Sequence, residues 1–282
     1  MSTELQEVKN VLLHVASVPT AERRVTSSLE EISGDPTKFL TFMNQYASWN
    51  SEFGGGVASL TSLISQNPRH FQESGFPPDL ADRATYVASY IFDAARDEYD
   101  DHINSKRDTH RTLAQAMLLG MQKFYDLSDD VFSQGRPLWL HNLARNVVDG
   151  YVGGMSTPND IYAAFRGLGY HLGSEMLADR EFSLIDTHYR SVHPELFEFL
   201  KRKTIIVAGV SHRAYSWIGI HSGQGGGAEA DHFDFGLQGT AKALKFLVDA
   251  DREACLRAVA EGFKRFDDDH AYFFEAAIEN LA

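Results

Sequence analysis

Apolar residues recur at steps of three and four along nearly the whole chain, the period of helices that bury one face. The first 32 residues predict two short amphipathic segments, closed by Ser33-Gly34-Asp35-Pro36. A long helix is expected over 37–64, stopped by Asn67-Pro68. Pro77-Pro78 opens another, to about residue 100. Asp108-Thr109 are good N-cap types, and the helix behind them should reach about residue 125. Pro137 opens a helix to about 152, Thr157-Pro158 a long one to about 189, and His193-Pro194 a short one. Helices are further expected over 211–221, 229–248 and 251–281, with a Gly-rich break at 223–227 after the first of them. The stretch 204–210 is the only β-like run, and it reads as too isolated to form a sheet.

This pattern predicts an all-α chain, a helical bundle over 35–282 with an N-terminal helical extension over 1–34. Composition narrows the function classes. The 282 residues are 43% hydrophobic and 23% charged, which excludes bulk disorder. A net charge of −13 without a basic stripe argues against a nucleic-acid surface. No run of eighteen apolar residues exists, so no membrane span is expected, and the N-terminus lacks a basic start followed by an apolar run. The single cysteine excludes an intramolecular disulfide and a multi-cysteine zinc site. A cytoplasmic, reduced protein is expected.

Several ionisable residues fall inside apolar stripes, where a charge must be paired, neutralised or bound to a metal. Phe165, Leu168, Leu172, Glu175, Asp179 and Phe182 share one helix face, and Val87, Ile91, Ala94 and Glu98 share another. His110 starts the line Leu113, Met117, Met121 and Phe124. Glu229 and His232 share a face with Gly236, Gly239, Ala243 and Phe246. Glu229 and His232 stand at i and i+3, so both heads can reach one metal, as in bundle di-iron sites. His221, before the Gly-rich break, can supply a third nitrogen. Oxygen and imidazole donors without thiolate suit iron or manganese, and zinc is also admitted by ligand type. Two divalent ions bring more positive charge than Glu98, Glu175 and Glu229 offset, so a hydroxide or a fourth carboxylate is expected, the candidates being Asp231 and Glu52 beside Gly54-Gly55-Gly56.

These elements, in order, resemble the haem-oxygenase-like di-iron oxidases and oxygenases, the iron-containing redox enzymes. Residues 42–49 resemble the family's first core helix. Asp97-Glu98-Tyr99 followed by His110-Arg111-Thr112-Leu113 resembles its acidic-then-His-x-x-Leu signature. Residues 169–175 resemble the helix with the bridging Glu, Glu175. Trp217 to His221 with Glu229-Ala230-Asp231-His232-Phe233 resembles the closing His and carboxylate-x-x-His element, and residues 262–266 the helix after it. The resemblance covers most of the chain, about 39–274. It implies metal ligands Glu98, His110, Glu175, His221, Glu229 and His232, with Glu98 and Glu175 central to catalysis. His212 stands in reserve for His221, and Glu73 competes with Glu52 as the upstream acid. It further implies two Fe(II)/Fe(III) ions, O2 as co-substrate, and a small amine or amino-acid-derived substrate. N-oxygenation or oxidative C–C cleavage, in small-molecule biosynthesis, would be the reaction. An electron donor and a homodimer are partners it allows. Tyr46, Trp49, Tyr170 and Trp217 are expected to line the pocket, with Arg111 or Arg180 offered to a substrate carboxylate.

Other readings keep the scaffold. A thiaminase-like hydrolase would turn on Cys255, the only thiol, a metal-free oxidase would use the scaffold without iron, and a true haem oxygenase would turn on His14 near the N-terminus. A non-catalytic helical binding protein would pair its buried acids with arginines.

Overall fold

The computed structural model describes residues 2–100, 108–133, 135–154, 160–222 and 228–281, without the side chains of 228–230. The chain is an all-α helical bundle carrying one small hairpin. Its helices are α1 (Thr3–Val15), α2 (Val18–Ile32), α3 (Pro36–Asn50), α4 (Phe53–Ser65), α5 (Pro78–Ala81), α6 (Ala84–Tyr99) and α7 (His110–Tyr125). They continue with α8 (Leu138–Tyr151), α9 (Ile161–Val192), α10 (Pro194–Arg202), α11 (Ser216–His221), α12 (Ala228–Phe246) and α13 (Arg252–Leu281). Strands β1 (Thr204–Val207) and β2 (Val210–Arg213) lie between α10 and α11.

The helix starts are set by local chemistry. Thr109 accepts a hydrogen bond from the Thr112 N–H, Asp160 from that of Ala163, and Asp251 from those of Glu253 and Ala254. Two expectations are corrected. The helix expected over 37–64 is broken at Ser51-Glu52, where the Ser51 hydroxyl turns back onto the Ser48 carbonyl and α4 restarts at Phe53. The isolated β-like run does find a partner. Ala208 and Gly209 both take positive φ, 51° and 77°, which closes a two-residue hairpin and gives residues 211–213 to a strand.

The longest helices, α9 and α13, form the most extensive helix pair and the spine of the core. They come close because glycine stands at the contact. A Cβ at Gly169 would overlap the Val259 carbonyl, and one at Gly262 the Arg166 carbonyl. The N-terminal helices join this same core: α1 lies on α12 and α13, α2 on α9 and α13, with Val8, Leu12, Val25 and Leu29 buried. Among the described residues no helix is long and apolar enough to cross a membrane.

Candidate metal centre

Six helices bring acids and imidazoles to one interior region: α6 (Asp97, Glu98), α7 (His110), α9 (His171, Glu175, Glu181), α11 (His221), α12 (His232) and α13 (His270). Glu98, His110, Glu175, Glu181 and His221 line a partly open cavity of about 190 Å³, walled also by Trp49, Phe182 and Trp217. Gly54 makes room for the Glu98 stem, which a Cβ there would approach to 3.0 Å.

Two groups of contacts are present. In one, His110 Nδ1 lies 3.3 Å from Glu98 Oε2 and 3.3 Å from His221 Nε2. In the other, Glu175 stands between two rings: His171 Nδ1 is 3.2 Å from its Oε1 and His232 Nδ1 is 3.6 Å from its Oε2. Asp97 Oδ2 accepts from His232 Nε2 at 2.8 Å, and the Trp217 carbonyl accepts from His221 Nδ1 at 2.5 Å. With these bonds made, the second ring nitrogens point inward, His232 Nδ1 toward Glu175 and His221 Nε2 toward His110. Outer partners of this kind orient metal-binding imidazoles.

Electrostatics agree with that arrangement. Burial by itself would raise the Glu175 carboxyl, but His171 and His232 beside it more than offset this and hold it well below the usual carboxylate range. Burial and the neighbouring His110 push the His221 imidazole well below its ordinary value, so the ring is neutral, the form that binds metals.

Among the described residues, no three of these donors surround one point at ion-coordination distance; they contact one another in pairs. The donor chemistry nevertheless fits a metal. His171 is 1% exposed and its Nε2 has no hydrogen-bond partner, with Gly236 leaving space beside it. Among the described residues, neither Glu98 nor Glu175 has an arginine or lysine within ion-pair distance; their close partners are imidazoles, the other half of a metal-binding donor set.

The sequence-derived residues are distributed as follows. Glu98, His110, Glu175, His221 and His232 are brought together. Glu229 is on α12, and its side chain lies outside the described residues. Glu52 is not turned into the cluster: it pairs with Arg136 at 2.8 Å because the helix break points it outward. Asp231 is exposed, one residue around α12 from His232 and so on its outer face. Glu73 pairs with Arg83, and His212 on the hairpin stands 3.2 Å from Asp108. Trp49, Trp217 and Arg111 line the cavity. Tyr46 sits behind it, donating to Glu181 Oε2 at 2.6 Å, and Tyr170 faces away to donate to Asp269. Arg180 is 56% exposed, and His14 lies on the outer side of α1.

Sequence reasoning missed Asp97, His171, Glu181 and His270. His171 had a signal, since it precedes Glu175 by one helical turn. Cys255 is buried in α13 and does not line the cavity; burial and then Asp251 raise its thiol to about 12. The folded protein should therefore resist iodoacetamide at pH 8, with one alkylation appearing by intact mass only after denaturation. Rapid alkylation of the native chain would restore the thiol-based reading.

Comparisons add little beyond this. No family model matches the chain, and no curated protein does. A solved structure similar to it is a CADD-like protein of unknown function from Nostoc punctiforme, 14% identical over 94% of this chain and 98% of that one, with a TM-score of 0.47.

Proposed function

We propose that this chain is a non-haem di-iron, dioxygen-using oxidase or oxygenase of haem-oxygenase-like fold. Its substrate is a small amine or amino-acid-derived molecule, and N-oxygenation or oxidative C–C cleavage is the reaction class. One observation carries the reading: Glu98, His110, Glu175 and His221 line one cavity, the His221 ring is anchored from behind by the Trp217 carbonyl and the His232 ring beside Glu175 by Asp97, and among the described residues no arginine or lysine lies within ion-pair distance of either acid. A cation between them satisfies all four. Glu98, His110, Glu175, His221, His232 and His171 would hold iron, with Glu229 joining from α12, and iron there supplies dioxygen binding and electron transfer; the same donors admit manganese.

The chain's own groups do the rest. Trp49, Phe182 and Trp217 give the cavity an apolar wall against which a substrate can pack. Glu181 presents a carboxylate on the same wall, held by the Tyr46 hydroxyl at 2.6 Å and approached by His270 Nε2 at 3.0 Å. An acid set among aromatic faces suits an ammonium group, which supports the amine class. Asp97 keeps the His232 ring in one tautomer and orientation.

Anaerobic Fe(II) titration followed by air tests the proposal. Roughly two irons per chain and a transient visible absorption band are expected. Failure to bind iron, with manganese also excluded, would leave the acids and imidazoles as a structural network.

A further inference from the structure

We propose that the chain has a second binding site, outside the acid–imidazole cluster, that takes the carboxylate head of a small organic acid between Arg111 and Arg136. A cavity of about 600 Å³ opens between α3, α7, the start of α8 and the hairpin. Arg111 and Arg136 both line it, as does Gln45, and Leu118, Phe132 and Leu140 supply an apolar wall.

The charges on this wall do not balance internally. Arg136 is engaged by Glu52 at 2.8 Å and by the Ser48 hydroxyl at 2.8 Å. Arg111 is half-buried and donates to the Ala47 carbonyl at 3.1 Å, and among the described residues no carboxylate lies within ion-pair distance of it. Glu52 acts on Arg111 only from beyond contact and is itself paired with Arg136, so the sheltered guanidinium lacks a contacting anion, and a planar carboxylate is its bidentate complement. Gln45 adds a neutral polar side chain to the wall. The occupant is thus an acid with an apolar body.

Arg111 also lines the inner cavity, so the head of a bound acid stands at the partition between the two spaces. The site itself does not depend on iron, and its test uses the metal-free full-length chain. Calorimetric titration with 2-hydroxyoctanoate should give saturable binding, and octylamine none. Arg111→Gln and Arg136→Gln should each raise the dissociation constant at least about tenfold, the loss of one charge-assisted hydrogen bond. Glu98→Gln should change it less than about twofold.

Circular dichroism checks each variant. Should Arg111→Gln fail to fold, Arg136→Gln, on the segment before α8, decides alone. Unchanged affinity in the folded arginine variants would overturn the proposal. So would inorganic phosphate binding as tightly as the acid, or a large loss in Glu98→Gln, which would move the ligand to the inner cavity. Loss of iron loading with this binding intact would count against the metal reading alone.

Discussion

Glu175→Ala should cost the protein its iron while leaving its helices in place. Glu175 is the only carboxylate among the described residues that touches both His171 and His232, at 3.2 and 3.6 Å, so it ties the α9 and α12 donors together. Removing it leaves two imidazoles with no acid between them. Replacing groups that merely orient ligands typically costs 10–100-fold in metal affinity, and loss of a ligand itself should exceed roughly that range. Iron retained after desalting should fall from about two per chain to less than one, measured by elemental analysis. Far-ultraviolet circular dichroism should be nearly unchanged, because α9 keeps Phe165, Leu168, Leu172 and Phe182 in the core. Asp231→Ala, on the exposed face of α12, is the matched control and should retain full iron. Wild-type iron content in Glu175→Ala would sink the assignment.

The second large effect concerns stability. Gly262→Val should destabilise the fold severely, because its Cβ would overlap the Arg166 carbonyl and stand 2.9 Å from the Tyr170 nitrogen. These are backbone atoms of α9, and no side-chain rotamer relieves the clash. Overpacking of a tight core costs about 1–3 kcal/mol, occasionally more, and a backbone clash belongs at or above the upper end. At roughly 2–4 °C per kcal/mol for a large domain, the melting temperature should drop by about 6–12 °C or further. Gly55→Ala is the control: nothing lies within 4 Å of a Cβ there, and the helical position should gain up to about 1 kcal/mol. Equal melting temperatures for wild type and Gly262→Val would show that α9 and α13 are less tightly joined than described.

Helical period and capping residues made most of the architecture legible. Thr109 and the 251–281 segment announce their helices, and Glu175 and Glu98 betray themselves by interrupting apolar stripes. The break at Ser51-Glu52 was hidden because the apolar rhythm of 37–64 continues across it; only the local hydroxyl-to-carbonyl bonds reveal the stop. The hairpin was hidden because its turn depends on positive φ at Ala208 as well as Gly209, and alanine gives no hint of that. Glu52 and Asp231 were plausible by residue type, yet the side to which each projects is fixed by tertiary context. The outward neighbours Asp97 and His270 act through partners on other helices, Asp97 through His232 and His270 through Glu181, and no local spacing encodes such a meeting.

The glycine-mediated seam between α9 and α13 has a mechanical consequence. Two rods locked at backbone distance behave as an anvil, so His171, Glu175 and Glu181 keep fixed positions relative to Phe266 and His270. Any breathing of the inner chamber as guests arrive and depart must therefore be taken up by the opposite jaw, the helices that carry Glu98, His110 and His221. That jaw is where room to swing a carboxylate is to be sought.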